Sequence, residues 1–267
     1  NGMKLSCTNL MLEARSLTEQ AFFLKEIGFD AISVFEEIDG WNDRKFGELH
    51  DLQKKTGIEV CEFCFSGEAY GCLMDSDPRV RARAQTIYKE AIAVCNVLGA
   101  VTEMEYEYRI QREMPLFHPY RKMTIEEEKQ FLETVAYLSE LVEGGARLLI
   151  EPVNRYESCR LNTVEDCAHV LQNCKNGRVG ILADVFHMAI EEPDMEPVFE
   201  RYGNSILHVH LADNNRLLPG KGTLNWRNIL TAISRHGNSR YMNLECAVLG
   251  DRRLELMETV KFLRQYI

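Results

Sequence analysis

The sequence predicts a single α/β domain over residues 1–267, folded as a (β/α)8 barrel, and three observations lead there. Short β-rich apolar runs alternate with longer amphipathic stretches from end to end, giving eight β-then-α units. The length of 267 residues is close to the roughly 250 typical of an eight-fold barrel. No linker or low-complexity segment divides the chain. Strands alternating with helices imply right-handed crossovers and a parallel sheet, and eight units in this length favour closure over an open sheet.

Asn1 and Gly2 precede Met3 and read as the leftover of a fusion, outside the fold. The first unit then pairs a strand over 4–9 with a helix near 17–27, and the second pairs 31–35 with 43–56. The third joins 58–65 to a long helix at 78–98. Gly28, Gly57 and Gly99 follow these three helices, and Gly237 follows a later one, where a left-handed terminal residue is commonly needed. The fourth strand, 100–106, leads into 107–123, the longest irregular stretch, expected to be a lid or substrate-lining loop, with a plain surface excursion as the alternative. Capping-box patterns, TIEE at Thr124 and TVED at Thr163, open helices at 124–143 and 163–174 around a strand at 147–153. Strands at 179–184, 206–212 and 241–247 alternate with helices at 194–203, 225–236 and 251–266.

Composition narrows the function classes. A net charge of −10 argues against a nucleic-acid binder, whose affinity rests on clustered Lys and Arg. No apolar run approaches the eighteen or so residues of a membrane span, and no signal-like segment opens the chain, so a cytoplasmic protein with no membrane partner is expected. Nine scattered cysteines suggest reduced thiols. Cys61 and Cys64 form a CxxC, but side chains three apart on a strand are expected on opposite faces, which speaks against a zinc knuckle or redox pair.

Four polar residues end successive strands: Glu151, Asp184, His210 and Glu245. Charges beside buried apolar strands are costly unless paired or coordinated, so four at equivalent positions point to one shared cation. In a (β/α)8 barrel the C-terminal strand ends face one another across the mouth, where active sites lie. Hard oxygens with one imidazole suit Mn²⁺ first, with Mg²⁺, Co²⁺ or Zn²⁺ as alternatives. Taken singly, each residue is more often structural; together they make a divalent-metal site. His208 shares strand parity with His210 and reads as a packed group one layer deeper. His187 and Arg216 are placed in loops just beyond two of these strands, and Glu157 in the turn NRYES either meets substrate or pairs with Arg155.

The runs EPVNRYE, LADVFHM, HVHLADNNR followed by PGKG and Trp226, and LECAV resemble the ketose 3-epimerase group (tagatose and psicose epimerases) of the xylose-isomerase-like TIM barrels. Within it they are most similar to the branch containing a 5-keto-gluconate epimerase. The resemblance covers residues 147–250 well and the rest weakly, through SGEAYG at 66–71. It implies that Glu151, Asp184, His210 and Glu245 hold the metal, that Glu151 and Glu245 transfer the proton, and that Glu157, His187 and Arg216 grip substrate oxygens. It also implies a small-molecule sugar substrate and a homodimer or homotetramer. Glu68 stands where relatives tend to carry Gln, and if it reaches the pocket it disfavours an acidic substrate.

The expected activity is epimerisation or isomerisation of a ketose or keto sugar acid, by proton transfer through an enediolate that the metal stabilises. Dehydration of a polyol or inosose is an alternative. An endonuclease-type metal hydrolase is a lesser one, since only seven histidines and an acidic charge fit it poorly.

Overall fold

Eight parallel strands close into a barrel in sequence order in the computed structural model, which describes residues 2–109, 114–115, 117–118 and 121–267. The strands are β1 (Lys4–Thr8), β2 (Ala31–Glu37), β3 (Glu59–Ser66), β4 (Val101–Met104), β5 (Arg147–Ile150), β6 (Val179–Asp184), β7 (Ile206–Leu211) and β8 (Tyr241–Leu244). Pairing of β1 with β8, from Lys4 opposite Tyr241 to Cys7 opposite Leu244, completes the closure. Around it lie α1 (Leu17–Ile27), α2 (Asp43–Thr56), α3 (Pro78–Leu98), α4 (Ile125–Glu140), α5 (Val164–Gln172), α6 (Val185–Glu191), α7 (Met195–Tyr202), α8 (Trp226–His236) and α9 (Arg252–Leu263). Among the described residues no helix is long and apolar enough to cross a membrane.

Local chemistry sets the helix ends. Thr124 and Thr163 form the expected capping boxes with Glu127 and Asp166. Gly28, Gly57 and Gly99 end their helices in the left-handed region. Gly237 does not: its φ is −72°, and glycine is required there because a Cβ would stand 2.6 Å from the Ile233 carbonyl oxygen. The strands β4, β5 and β8 stop at 104, 150 and 244, short of the expected 106, 153 and 247. Beyond those points the chain turns toward the mouth, and Pro152 cannot donate to a central ladder.

Alternation divides each strand between two environments. Leu5, Ile32, Val34, Phe63, Phe65, Leu148, Ile150, Val209 and Leu244 join the apolar layer shared with the helices. The inner face is polar to an unusual degree for a barrel, whose interior is ordinarily filled by branched aliphatics: Glu62, Glu103, Glu105, Glu151, Asp184, His208 and His210 are all buried there. Contacts across the barrel confirm the direction, with Tyr241 on β8 donating to Glu59 on β3 at 2.6 Å and Cys61 on β3 lying 3.1 Å from Ser6 on β1.

That Cys61 contact corrects the expectation for the CxxC. The β2–β3 register skips Cys61, pairing Val60 with Ile32 and Glu62 with Ser33, so an extra residue bulges from β3. The bulge resets the alternation, and both Cys61 and Cys64 face inward, Cys64 donating to Glu103 at 3.0 Å. Both are free thiols, and burial pushes each upward in pKa, as for an inert cysteine.

Candidate active site

The mouth of the barrel is built from residues at and just past the strand ends. Glu151 comes immediately after β5 and Glu245 after β8, while Asp184 is the last residue of β6 and His210 lies in β7. One ligand atom from each of the four falls within 4.8 Å of all the others. His210 Nδ1 is 3.0 Å from Glu245 Oε2, 3.7 Å from Glu151 Oε2 and 3.8 Å from Asp184 Oδ2. Two of these atoms, His210 Nδ1 and Glu151 Oε2, are buried without a hydrogen-bond partner. Buried polar atoms left without a partner cost about 1–3 kcal/mol each. Their convergence with two further carboxylates fits a divalent cation with open positions for a ligand.

The local folding explains how each group is aimed. Asp184 both ends β6 and caps α6, its Oδ1 accepting from the Phe186 N–H at 2.9 Å. The helix therefore starts at once, and His187 lies on α6 rather than in the loop expected for it. Its Nδ1 accepts from the Asn154 backbone N–H at 3.2 Å, which leaves the proton on Nε2, 3.8 Å from Asp184 Oδ2. Asn154 also donates to Glu157 Oε2 at 2.5 Å, so Glu157 and His187 share one support. Arg155 pairs with Glu191 at 3.1 Å.

Arg216 is in a loop, as expected, with φ at +66°. The run from Asp213 to Trp226 is the device that holds it there. Asp213 accepts from the N–H groups of Asn214, Gly220 and Leu224 and from Trp226 Nε1 at 2.7 Å, and a Cβ on Gly222 would meet its Oδ1 at 2.3 Å. The guanidinium that results spans Asp184 Oδ2 at 2.9 Å and Glu245 Oε2 at 3.2 Å while resting 4.4 Å from the Phe186 ring centre.

Several groups at the site were not identified from sequence. Glu105, just past β4, stands beside Glu151 and the Tyr70 hydroxyl; burial, opposed in part by those two, raises it to about 7. The loop after β3 reaches it because Gly71 packs against Tyr108, whose carbonyl oxygen would be 2.1 Å from a Cβ there. Tyr70 and Tyr108 meet edge to face at 6.1 Å. The signal was present in EMEYE, where period-two acids on a strand place Glu103 and Glu105 on one face. Glu68 is exposed, whereas Tyr70 of the same loop is turned toward Glu105 and Glu103. Of the segment 107–123, residues 110–113, 116, 119 and 120 lie outside the described residues. Its ends are tied to the loop after β5 by Arg109 N to Glu157 O and Arg121 N to Cys159 O, both 3.0 Å.

Charge balance in the cluster has a measurable consequence. Burial and the neighbouring Glu105 hold Glu151 well above the ordinary carboxylate range, and burial with Cys64 and Glu62 does the same to Glu103. For His210 burial opposes protonation, but Glu62 and Glu245 outweigh it and raise the imidazole. All these groups hold protons in the folded chain that the unfolded chain gives up more readily, so the stability they contribute at low pH is lost as pH rises through their folded values. Asp184 and Glu62 are shifted downward, burial being outweighed by Arg216 for the first and His210 for the second, so their window lies below the ordinary carboxylate range. His208, lowered by burial to about 4, and His187, also lowered by burial, act mainly below the ordinary histidine value of 6.5. From about pH 6.5 to 8 the opposing His187 and His208 contributions fade as the unfolded histidines finish titrating, and the contributions that fall with pH dominate. In chelator, the unfolding temperature is expected to drop by several degrees over that range; with Mn²⁺ the trend should be weaker, since an ion held by Glu151 and His210 would displace their protons. Thermal unfolding followed by circular dichroism checks both.

Comparison with known proteins places this architecture. The model of the family described as "Xylose isomerase-like TIM barrel" matches residues 22–266. The chain belongs to that family. Among its relatives, the 3-dehydro-D-guloside 4-epimerase of Escherichia coli (strain K12) is 27% identical over 250 residues, 91% of this chain and 92% of that protein. The D-psicose 3-epimerase of Agrobacterium fabrum is 34% identical over 210 residues, covering 78% and 71%. Among solved structures, this xylose isomerase-like chain superposes on apo 3-keto-D-glucoside 4-epimerase from E. coli with a TM-score of 0.87 at 21% identity, covering 99% and 100% of the two chains. It matches D-psicose 3-epimerase with D-tagatose from Clostridium cellulolyticum at 0.84 and 19%, covering 99% of each. At those identities the structural likeness establishes the fold.

Proposed function

We propose that this protein is a divalent-metal-dependent epimerase of keto sugars, in which Glu151, Asp184, His210 and Glu245 hold the ion and Glu151 and Glu245 move the proton. The observation that carries the reading is the convergence of those four groups within 4.8 Å, two with orphaned atoms, in a chain whose relatives are named as sugar epimerases. A divalent ion bound there would stabilise the negative charge that develops on a keto oxygen as the adjacent C–H bond breaks. The oxygen-rich donor set with a single imidazole favours Mn²⁺ over a thiol-seeking metal.

The chain's own residues supply the rest. Glu151 and Glu245 approach the mouth from β5 and β8, so a sugar carbon between them is open to one carboxylate on each face. One takes the proton and the other returns one to the opposite face, which inverts the centre. Arg216 presents a fork of donors, His187 offers its Nε2 proton, and Glu157 accepts from hydroxyls; these hold the sugar chain against the carboxylates. The crowd of carboxylates at Glu105, Glu151, Glu157 and Glu245 around the Arg216 guanidinium favours a neutral keto sugar over a sugar acid or phosphate.

Incubation with free ketoses and with keto-glycosides, monitored by NMR and mass spectrometry, tests this. An epimer of unchanged mass that forms only with added Mn²⁺ is expected. A product lighter by one water would make the protein a dehydratase, and no conversion across both substrate classes in metal-loaded protein would overturn the reading.

A further inference from the structure

We infer that Glu62 is a positioning residue for the metal site, acting through His210; this rests on the reading of His210 as a ligand. Glu62 is on β3, on the far side of the barrel from β7, and is completely buried. A carboxylate in that position, below the mouth and out of reach of substrate, needs a reason, because burial of an acid is costly unless its oxygens are satisfied. Its partners supply one. His210 Nε2 lies 2.9 Å from Glu62 Oε2 and 3.1 Å from Oε1, a near-symmetric contact. Ser33 donates to Oε1, and Glu103, itself held by Cys64, stands beside it.

The consequence for His210 is geometric. A neutral imidazole carries one proton, and with Nε2–H committed to Glu62 the lone pair belongs to Nδ1. That is the nitrogen facing Glu151, Asp184 and Glu245, and the one with no hydrogen-bond partner. Glu62 thus fixes both the tautomer and the ring orientation, as an outer carboxylate does behind a metal-bound histidine. The bulge at Cys61 makes this possible: without the extra residue, the inward face of β3 at this level would not belong to Glu62. His208, 3.7 Å from the same carboxylate, packs beneath and limits where it can move.

Mn²⁺ binding to chelator-stripped protein, measured by calorimetry, tests the inference on the parent, Glu62→Gln and Ser33→Ala. The Gln variant keeps the volume and an acceptor but no longer imposes the Nε2–H tautomer, and its dissociation constant is expected to rise about 10- to 100-fold. The Mn²⁺ concentration for half-maximal activity should rise in proportion, with a smaller change in kcat at saturating metal. Ser33→Ala, which removes only the hydroxyl pinning Glu62, should weaken binding several-fold, and it carries the test if the Gln variant does not fold. Unchanged Mn²⁺ affinity in a folded variant, with only the unfolding temperature in chelator lowered, would overturn the inference by assigning Glu62 a purely structural role. A parent that binds no Mn²⁺ would overturn the reading of the metal site and this inference with it.

Discussion

Glu245→Gln is expected to lower kcat by about 10²- to 10⁴-fold, the range for loss of a general acid or base, while leaving the fold intact. Glutamine matches the volume of glutamate, so nothing at the mouth needs to repack. The Glu245 side chain is one-fifth exposed and lies outside the apolar layer, and Arg216 keeps its contacts with Asp184. What is lost is an oxygen that can accept a proton, together with one anionic donor to the proposed metal. Because the proposed inversion uses a carboxylate on each face, the loss should appear in both directions of the reaction. Glu151→Gln should fail in the same way. Each single variant should still exchange the carbon-bound hydrogen of one epimer with solvent, slowly, through the carboxylate that remains. Kinetics with both epimers, beside circular dichroism of the same preparations, checks this; full turnover in Glu245→Gln would remove its acid–base role.

Stripping the metal is expected to abolish activity and to lower the unfolding temperature. A ligand that binds only the folded chain contributes about 2.7 kcal/mol at one hundred times its dissociation constant. For a domain of this size that corresponds to roughly 5–10 °C. The effect should be large because the cluster is unfavourable without a cation: three carboxylates and an imidazole share a space under 5 Å across, with Arg216 as the guanidinium bridging them. Asp184→Asn provides the control. Asparagine can still cap α6, as the Asp184 oxygen does for Phe186, so the helix should survive. The variant should show no thermal shift on adding Mn²⁺ and no recovery of activity. A stripped protein as active and as stable as the loaded one would contradict the metal reading.

Much of this was legible in the sequence because it depends on local periodicity. The eight strand–helix units, the capping boxes at Thr124 and Thr163 and the glycine-ended C-termini of α1, α2 and α3 follow from apolar spacing and from Thr and Gly chemistry within a few residues. The strand-end cluster was legible for a topological reason: once β5 to β8 are neighbours in a closed barrel, their final polar residues must meet. What was not legible depends on contacts across the barrel or on a local irregularity. Glu62 is hidden in IEVCEFCF because the bulge at Cys61 shifts its parity, and period-two reasoning assigns the faces wrongly from there on. Glu105 looks like one acid among several until the Gly71 contact brings Tyr70 to it. The helix α6 escapes notice because one residue, Asp184, serves as strand end, cap and cluster member at once. The PGKG run and Trp226 proved to be a cradle for Asp213 that sets the Arg216 loop, a role no spacing argument assigns.

The central claim is that two carboxylates on opposite faces of a carbon next to a keto group exchange its proton with solvent. Epimerisation in D₂O, with Mn²⁺ present and the product read by NMR and mass spectrometry, tests it most directly. One deuterium at the inverted carbon of each product molecule, with no label in the absence of metal, is the expected result. Epimer formed without deuterium at that carbon would contradict it, since inversion would then not pass through the carboxyl groups of Glu151 and Glu245.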